Sequence, residues 1–194
     1  MKFLTTLICL FIVVSAIAQQ QERKKIKPAF TSINQMGLLH GEAGAHYDLR
    51  TINGVSIGKW TVGLGLGIDN YAGRSVPVFI EGRKEFGKKN NLPFLYAGAG
   101  LNHTWLTTDQ KRQKGGEYST TPGMYVDAGI GVKLNTKSKT AVVLSTGFSY
   151  KQSKETVVPP VWFTPWPMPG NPDGSPEKLN SQYRRIVVRL GIQI

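Results

Sequence analysis

The chain has 194 residues with 22 glycines, 11 prolines, one cysteine and a formal charge of +12, a length that suits one domain. A single cysteine excludes intrachain disulfides and multi-thiolate metal sites. No segment beyond the first twenty residues reaches the roughly 18 consecutive apolar residues of a spanning helix, and a basic balance by itself specifies no partner.

The N-terminus is read as an export signal over residues 1–18. Met1-Lys2 is a short basic start, Phe3 to Val14 is apolar, and Ala16-Ile17-Ala18 matches a small-residue cleavage site, so the mature chain is expected to begin at Gln19. The apolar run is short for an anchor helix. Cys9 lies inside this run and not just after it, which argues against a lipidated cysteine and leaves the exported chain cysteine-free. Residues 19–29, with Glu22, Arg23, Lys24, Lys25 and Lys27, read as a polar periplasmic lead-in. A basic exported chain meets lipid headgroups and lipopolysaccharide phosphates before it meets nucleic acid.

Residues 30–194 then read as a run of eight strands. Strand one is predicted over Phe30 to His40, and Gly41-Glu42-Ala43-Gly44 links it to strand two, Ala45 to Ile57. Asn53-Gly54 could form a hairpin turn; it leaves too few residues before the next strand, so a bulge or bend is expected. Gly58-Lys59 turns into strand three, Trp60 to Tyr71. Strand four is Val76 to Phe86 and strand five Leu92 to Trp105. A long polar loop, Leu106 to Pro122, precedes strand six, Gly123 to Leu134. Strand seven is Thr140 to Gln152. A second long loop, Ser153 to Asn180, leads to strand eight, which runs to Ile194. Pro77 and Pro93 stand second in their strands, near where proline is tolerated. Most of these strands have 11 to 14 residues; globular strands have a mode of about 5–6, whereas a tilted membrane crossing takes about 9–11. Short links follow strands two, four and six and long ones follow strands five and seven, as in barrels with a periplasmic and an outer rim.

The side-chain parity repeats along the chain. Strand eight sets Ile186, Val188, Leu190, Ile192 and Ile194 against Arg185, Val187, Arg189, Gly191 and Gln193, so one face is aliphatic. Strand three sets Val62, Leu64, Leu66 and Ile68 against Gly63, Gly65, Gly67 and Asp69. Strands five and six repeat the division, with Gly98, Gly100, Gly129 and Gly131 opposite the aliphatic face. Strand four is less regular, because Lys84 shares the parity of Val78, Ile80 and Phe86 and would have to snorkel. In strand one neither face is clean.

Two features direct the aliphatic face outward, toward lipid. Bulky residues of that parity lie at strand ends (Trp60, Phe86, Trp105, Tyr150), as interfacial girdles require. The other parity carries Asp69, Glu81, Glu85, Asp127, Arg83, Lys133, Arg185 and Arg189, close to the charge balance a filled lumen needs. Because strands four and eight are opposite in an eight-membered ring, Glu81 and Glu85 could meet Arg185 and Arg189 across it. The alternative is a secreted lipocalin-like barrel whose aliphatic face lines a cavity for a small apolar ligand.

The strand count, the terminal strand and the Gly-x-Gly alternation (Gly63-Leu64-Gly65-Leu66-Gly67, Gly98-Ala99-Gly100, Gly129-Ile130-Gly131) make the chain resemble the small eight-stranded outer-membrane barrels of Gram-negative bacteria, the OmpA-barrel and OmpX-like group. The resemblance covers nearly all of Phe30 to Ile194. It implies an all-β, antiparallel up-and-down transmembrane barrel after a cleaved signal peptide. It also implies contact with outer-membrane lipid and lipopolysaccharide, and a C-terminal strand read by the barrel-assembly machinery. One departure is Ile194, where such barrels end in an aromatic residue.

No site of known chemistry emerges. Gly63 to Gly67 lacks the strand-then-helix context of a dinucleotide loop. His40, His46 and His103 lie near outer strand ends, but strand five is across the barrel from strands one and two, so they read as separate histidines and not a metal site. His103 with Ser119 or Asp109 is a loose candidate for a lipid-modifying enzyme of the outer leaflet. The long loops are better leads. Lys111, Arg112 and Lys114 form a basic cluster suited to phosphates or to plain solvation. Trp162, Phe163 and Trp166 stand in a proline-stiffened run, Pro159 to Pro169, suited to recognition or to folding over the barrel mouth as a lid. The expected protein is therefore a non-enzymatic, monomeric outer-membrane barrel without cofactor or metal. Its lumen is filled, and its role is structural or surface recognition through its long outer loops with a partner the residues do not identify.

Overall fold

The computed structural model describes residues 27–42, 44–71, 73–87, 91–105, 117–136, 140–158 and 176–194, and the signal segment therefore lies outside the described residues. Among the described residues there are nine strands: β1 (Ala29–Gly41), β2 (Gly44–Ile57), β3 (Trp60–Asp69), β4 (Arg74–Glu85), β5 (Asn91–Trp105), β6 (Glu117–Thr121), β7 (Gly123–Asn135), β8 (Ala141–Val158) and β9 (Glu177–Gln193). Each pairs antiparallel with its neighbours, and β9 pairs with both β8 and β1, so the sheet closes on itself. Ser32 and Ile194 complete the seam by exchanging two backbone hydrogen bonds of 2.9 Å.

β6 and β7 form one stave of the wall, so the barrel has eight staves. Both pair with β8, but Thr121 lies opposite Lys154 and Tyr125 opposite Lys151. Four residues on one strand therefore span three on the other. The extra residue is a bulge at Pro122, where the missing N–H makes an unbroken ladder impossible.

The pairings fix the geometry of closure. A path perpendicular to the strands runs Thr31, Gly54, Gly63, Glu81, Gly98, Asp127, Ser149, Arg185 and returns to β1 at Gly41. The return is ten residues from the start. With eight staves about 4.8 Å apart and a rise of about 3.3 Å per residue, that stagger tilts the strands by about 40°. A barrel of this size has an interior just wide enough for side chains to fill.

Aliphatic side chains cover the outside. Leu64, Leu101, Ile130, Ile186 and Leu190 each keep half or more of their surface accessible, whereas Arg185, Arg189, Lys151 and Glu81 are almost wholly buried inside. This inverts a globular core, and it overturns the lipocalin-like alternative, in which the aliphatic face would line the cavity. Glycines of the inner parity make room for the large groups. A Cβ at Gly65 would collide with the Phe79 ring, one at Gly131 with the Phe94 ring, and one at Gly37 with the Arg189 side chain. Within the strands glycine is used here for space and not for flexibility. The links between strands differ. In the β2–β3 turn Ile57 and Trp60 pair directly, and Gly58 takes φ +63° in the two-residue link, while Gly44, Gly73 and Gly87 also have positive φ, a conformation that favours glycine.

Three expectations change. Asn53-Gly54 is neither a turn nor a bulge. β2 runs through it in unbroken register with β1 and β3, because Gly54 lies against the backbone of Val62 and Gly63, too close for a larger side chain. The two long loops are shorter than expected, since β6 occupies Glu117–Thr121, β8 extends to Val158 and β9 begins at Glu177. These added residues are mostly polar, and their few apolar members (Tyr118, Val157, Val158 and Leu179) do not build a sustained aliphatic face. Finally, Pro77 and Pro93 are the fourth and third residues of their strands; the β3–β4 pairing skips both Val76 and Pro77 between Val78 and Ser75, a gap at the residue that has no N–H to give.

Candidate functional site

The inner wall holds a network of buried charges in two layers. In the central layer Asp127 on β7 is the hub. Arg50 Nη1 from β2 donates to its Oδ2 at 2.6 Å, Arg189 Nη2 from β9 lies 2.8 Å away, and the hydroxyl of Tyr125 donates at 3.1 Å. Arg189 Nε also donates to Asp48, and Arg189 Nη1 to the hydroxyl of Tyr96 at 3.2 Å. Glu81 accepts from Arg83 Nε at 2.5 Å and lies 3.3 Å from Arg50 Nη1. Gln35 Oε1 on β1 bridges the two arginines, accepting from Arg50 Nε at 2.9 Å and Arg83 Nη2 at 3.0 Å. Aromatic rings fill the space between: the Arg50 guanidinium is 5.4 Å from the Tyr96 ring centre and 5.8 Å from that of Phe79, and that of Arg83 is 5.1 Å from Phe94, distances at which cation–π attraction operates.

The upper layer centres on Asp69 at the end of β3. Lys151 Nζ donates to it at 2.6 Å, Arg185 Nη1 at 3.2 Å and Ser75 Oγ at 3.0 Å. Lys151 also donates to the carbonyl of Tyr71 at 3.0 Å and to Ser75 Oγ at 2.8 Å, so all three of its N–H donors are used. Arg185 Nη2 donates to Ser149 Oγ at 2.8 Å. Near the opposite rim Lys133 and Glu85 pair at 2.8 Å in a half-buried position.

These contacts place all eight sequence-predicted lumen residues on the inner wall, but with other partners than expected. Arg185 and Arg189 take Asp69, Asp48 and Asp127, Glu81 takes Arg50 and Arg83, and Glu85 takes Lys133. Arg185 pairs in register with Gly41 near the upper rim and Glu85 with Phe94 near the lower one, so those two stand at opposite ends of the barrel. Sequence reasoning missed Asp48, Arg50 and Lys151. Asp48 and Arg50 share a parity with Ile52, but Thr51 and Asn53 interrupt the aliphatic face that would have marked it. Lys151 continues the parity of Ser145, Gly147 and Ser149 into what was read as a strand end.

Above the aliphatic belt, β6, β8 and β9 continue as a three-stranded extension, since β1 has no residue paired beyond Arg185. Lys154, Lys178 and Arg184 are exposed there on the outward parity and make no ion pair among the described residues. Gln152 Nε2 donates to Asn180 Oδ1 at 2.9 Å on the same face. Lys84 lies at the lower rim with Nζ 4.8 Å from the Trp60 ring centre and 5.6 Å from that of Phe86, the interfacial position its sequence parity demanded. His40 and His103 are exposed, whereas His46 packs edge-on against the Tyr71 ring at 5.2 Å; the three do not converge. Ser119 is on β6, opposite Thr156 of β8. Lys111, Arg112, Lys114, Asp109, Trp162, Phe163 and Trp166 lie outside the described residues, as does the Trp105 side chain.

No family model and no curated protein matches the sequence. Two solved structures align with most of the chain, the first of them well enough to share its fold. Neisserial surface protein A (NspA) superimposes with a TM-score of 0.53 at 12% identity, covering 87% of this chain and 98% of its own. The outer membrane protein OprG from Pseudomonas aeruginosa gives a TM-score of 0.45 at 9% identity over 84% of this chain and 94% of its own. With its closed antiparallel wall, aliphatic exterior and charged interior, the chain has the fold of the small eight-stranded outer-membrane barrels.

Proposed function

We propose that this chain is an integral protein of the Gram-negative outer membrane, non-enzymatic, with a plugged lumen, acting as a structural or surface-recognition element through its outer rim and long loops. The observation that carries the reading is the inverted wall. Aliphatic side chains face out around the ring while four carboxylates and five cations are buried inside. An exterior of this kind is stable in hydrocarbon, and a closed sheet leaves no backbone group unpaired there. Contacts such as Arg50–Asp127 and Arg83–Gln35 join staves across the interior, which supports a plug in place of a channel. Lys154, Lys178 and Arg184 just above the belt suit lipopolysaccharide phosphates, and the terminal strand β9 suits recognition by the assembly machinery.

The test is membrane extraction. The protein should sediment with outer-membrane vesicles, resist carbonate and salt, need detergent for release, and migrate faster in a gel unheated than boiled. Release without detergent would refute the membrane reading. For the recognition role, deleting Pro159 to Pro169 should abolish binding to cells or to the partner while heat-modifiable migration persists; unchanged binding would move the role elsewhere.

A further inference from the structure

Among the described residues the aliphatic exterior is interrupted by one polar island. Ser32 and Asn34 on β1 and Thr51 and Asn53 on β2 all take the outward parity, and the register sets Ser32 opposite Asn53 and Asn34 opposite Thr51. Elsewhere in the belt outward polar groups stand singly, as Thr146 does between Leu144 and Phe148, or reach the rim, as Lys84 does. The island is not at a rim. Exposed apolar residues flank it along both strands, Met36 and Leu49 toward one end and Phe30 and Val55 toward the other. Across the neighbouring pairings it meets Leu64 and Leu66 on β3 and Ile192 on β9, with Ser32 at its lower corner bonded to Ile194.

Its internal hydrogen bonds are long and run along single strands: Asn34 Nδ2 donates to Ser32 Oγ at 3.5 Å and Asn53 Nδ2 to Thr51 Oγ1 at 3.4 Å. Each carboxamide oxygen and one N–H of each amide therefore has no partner among the described residues. Hydrocarbon supplies neither donors nor acceptors, so such groups are costly unless another polar surface meets them. Around Asn34 and Thr51 the wall is dented by about 710 Å³, between ridges that include Met36, Leu49, Leu66 and Ile192.

We propose that the island is the contact through which a second copy of this chain docks, about a two-fold axis parallel to the barrel axis. The inference rests on the membrane reading above and departs from the monomer expected from sequence. Three observations select a second copy. The island holds two carboxamides and two hydroxyls, donors and acceptors together, so it is complementary to itself, as an isologous interface requires. Copies inserted in one direction are held at one depth by their aliphatic belts, so each island meets its counterpart at the same level. An acyl chain could fill the dent but would leave both amides unpaired. Polar side chains meeting between membrane-embedded segments are an established cause of association.

The experiment uses the full chain expressed into outer membranes. Ser32→Cys and Thr51→Cys, which keep both asparagines, are treated with a short bifunctional thiol reagent beside Leu101→Cys on the far wall. At least one of the first two should give a band at twice the monomer mass, and Leu101→Cys should not. In liposomes the double variant Asn34→Leu/Asn53→Leu should lower self-association measured by energy transfer by about tenfold, the effect of about 1.4 kcal/mol, while heat-modifiable migration shows that it still folds. Equal cross-linking at position 101, cross-links only to other proteins, or undiminished association of the double variant would each overturn the proposal. Wild-type chain that inserts but does not associate overturns the dimer alone; chain that fails to insert overturns the membrane reading with it.

Discussion

Asp127 shows how much this barrel asks of single residues. It is fully buried and serves two guanidiniums and two phenols. The buried interior already holds one more cation than carboxylates. Removing one member of a buried ion pair strands its partners, at about 3–5 kcal/mol. Asp127→Ala is therefore expected to lower stability by that order in urea titrations of the liposome-inserted protein. Lys133→Gln, at the less deeply buried pair with Glu85 near the rim, should cost less than Asp127→Ala, about 1–2 kcal/mol, because water can reach the group left behind. Gly65 makes a second residue-level test. Its missing Cβ is where the Phe79 ring sits, so Gly65→Val should destabilise by about 1–3 kcal/mol through overpacking. Phe79→Leu in the same chain should recover part of that loss; no recovery would mean that the backbone and not the ring limits the site.

Adjacent residues of one element live in opposite media. On β9 Arg189 is buried among carboxylates, and Leu190, next in sequence, is exposed on the outside. A one-residue slip of β9 would exchange them, and each arginine moved into lipid costs about 2–4 kcal/mol near the midplane. Leu190→Arg is expected to cost the same amount in equilibrium unfolding from liposomes. It should cost far less in a detergent micelle thin enough for the side chain to reach water. This element was legible in the sequence, because its two faces differ at every step. β6 and the outer halves of β8 and β9 were not. Beyond the closed ring both faces are largely exposed, so Glu177, Lys178 and Asn180 surround the single apolar Leu179 without an alternation to read, although their ladder to β8 is continuous.

At the scale of the whole molecule, eight staves with a ten-residue stagger leave an interior that its own side chains fill. Purified protein in planar bilayers is expected to give no discrete conductance steps of porin size. Regular open-channel steps would show that the contacts between Arg50, Asp127 and Arg189 part under voltage, and would return the lumen to consideration as a path. The polar island on β1 and β2 is a property of this scale too. Strand one looked irregular in isolation, and only its register against β2 shows that Ser32, Asn34, Thr51 and Asn53 form one patch.

The sequence by itself determined the class of structure: long strands, two faces of contrasting chemistry, glycine on the inner parity and charges beside it. Strand parity is a local property with period two, so a single chain displays it. The tertiary structure alone decided which charges meet. Glu81 and Arg83 share a strand, but Arg189 finds Asp48 on β2 and Asp127 on β7, and those distances follow from the stagger at which the sheet closes. Closure is a sum over eight pairings, and no one strand carries it. The terminal aliphatic run from Ile186 to Ile194 thus announced which way its arginines point, and the closed ring decided what they touch.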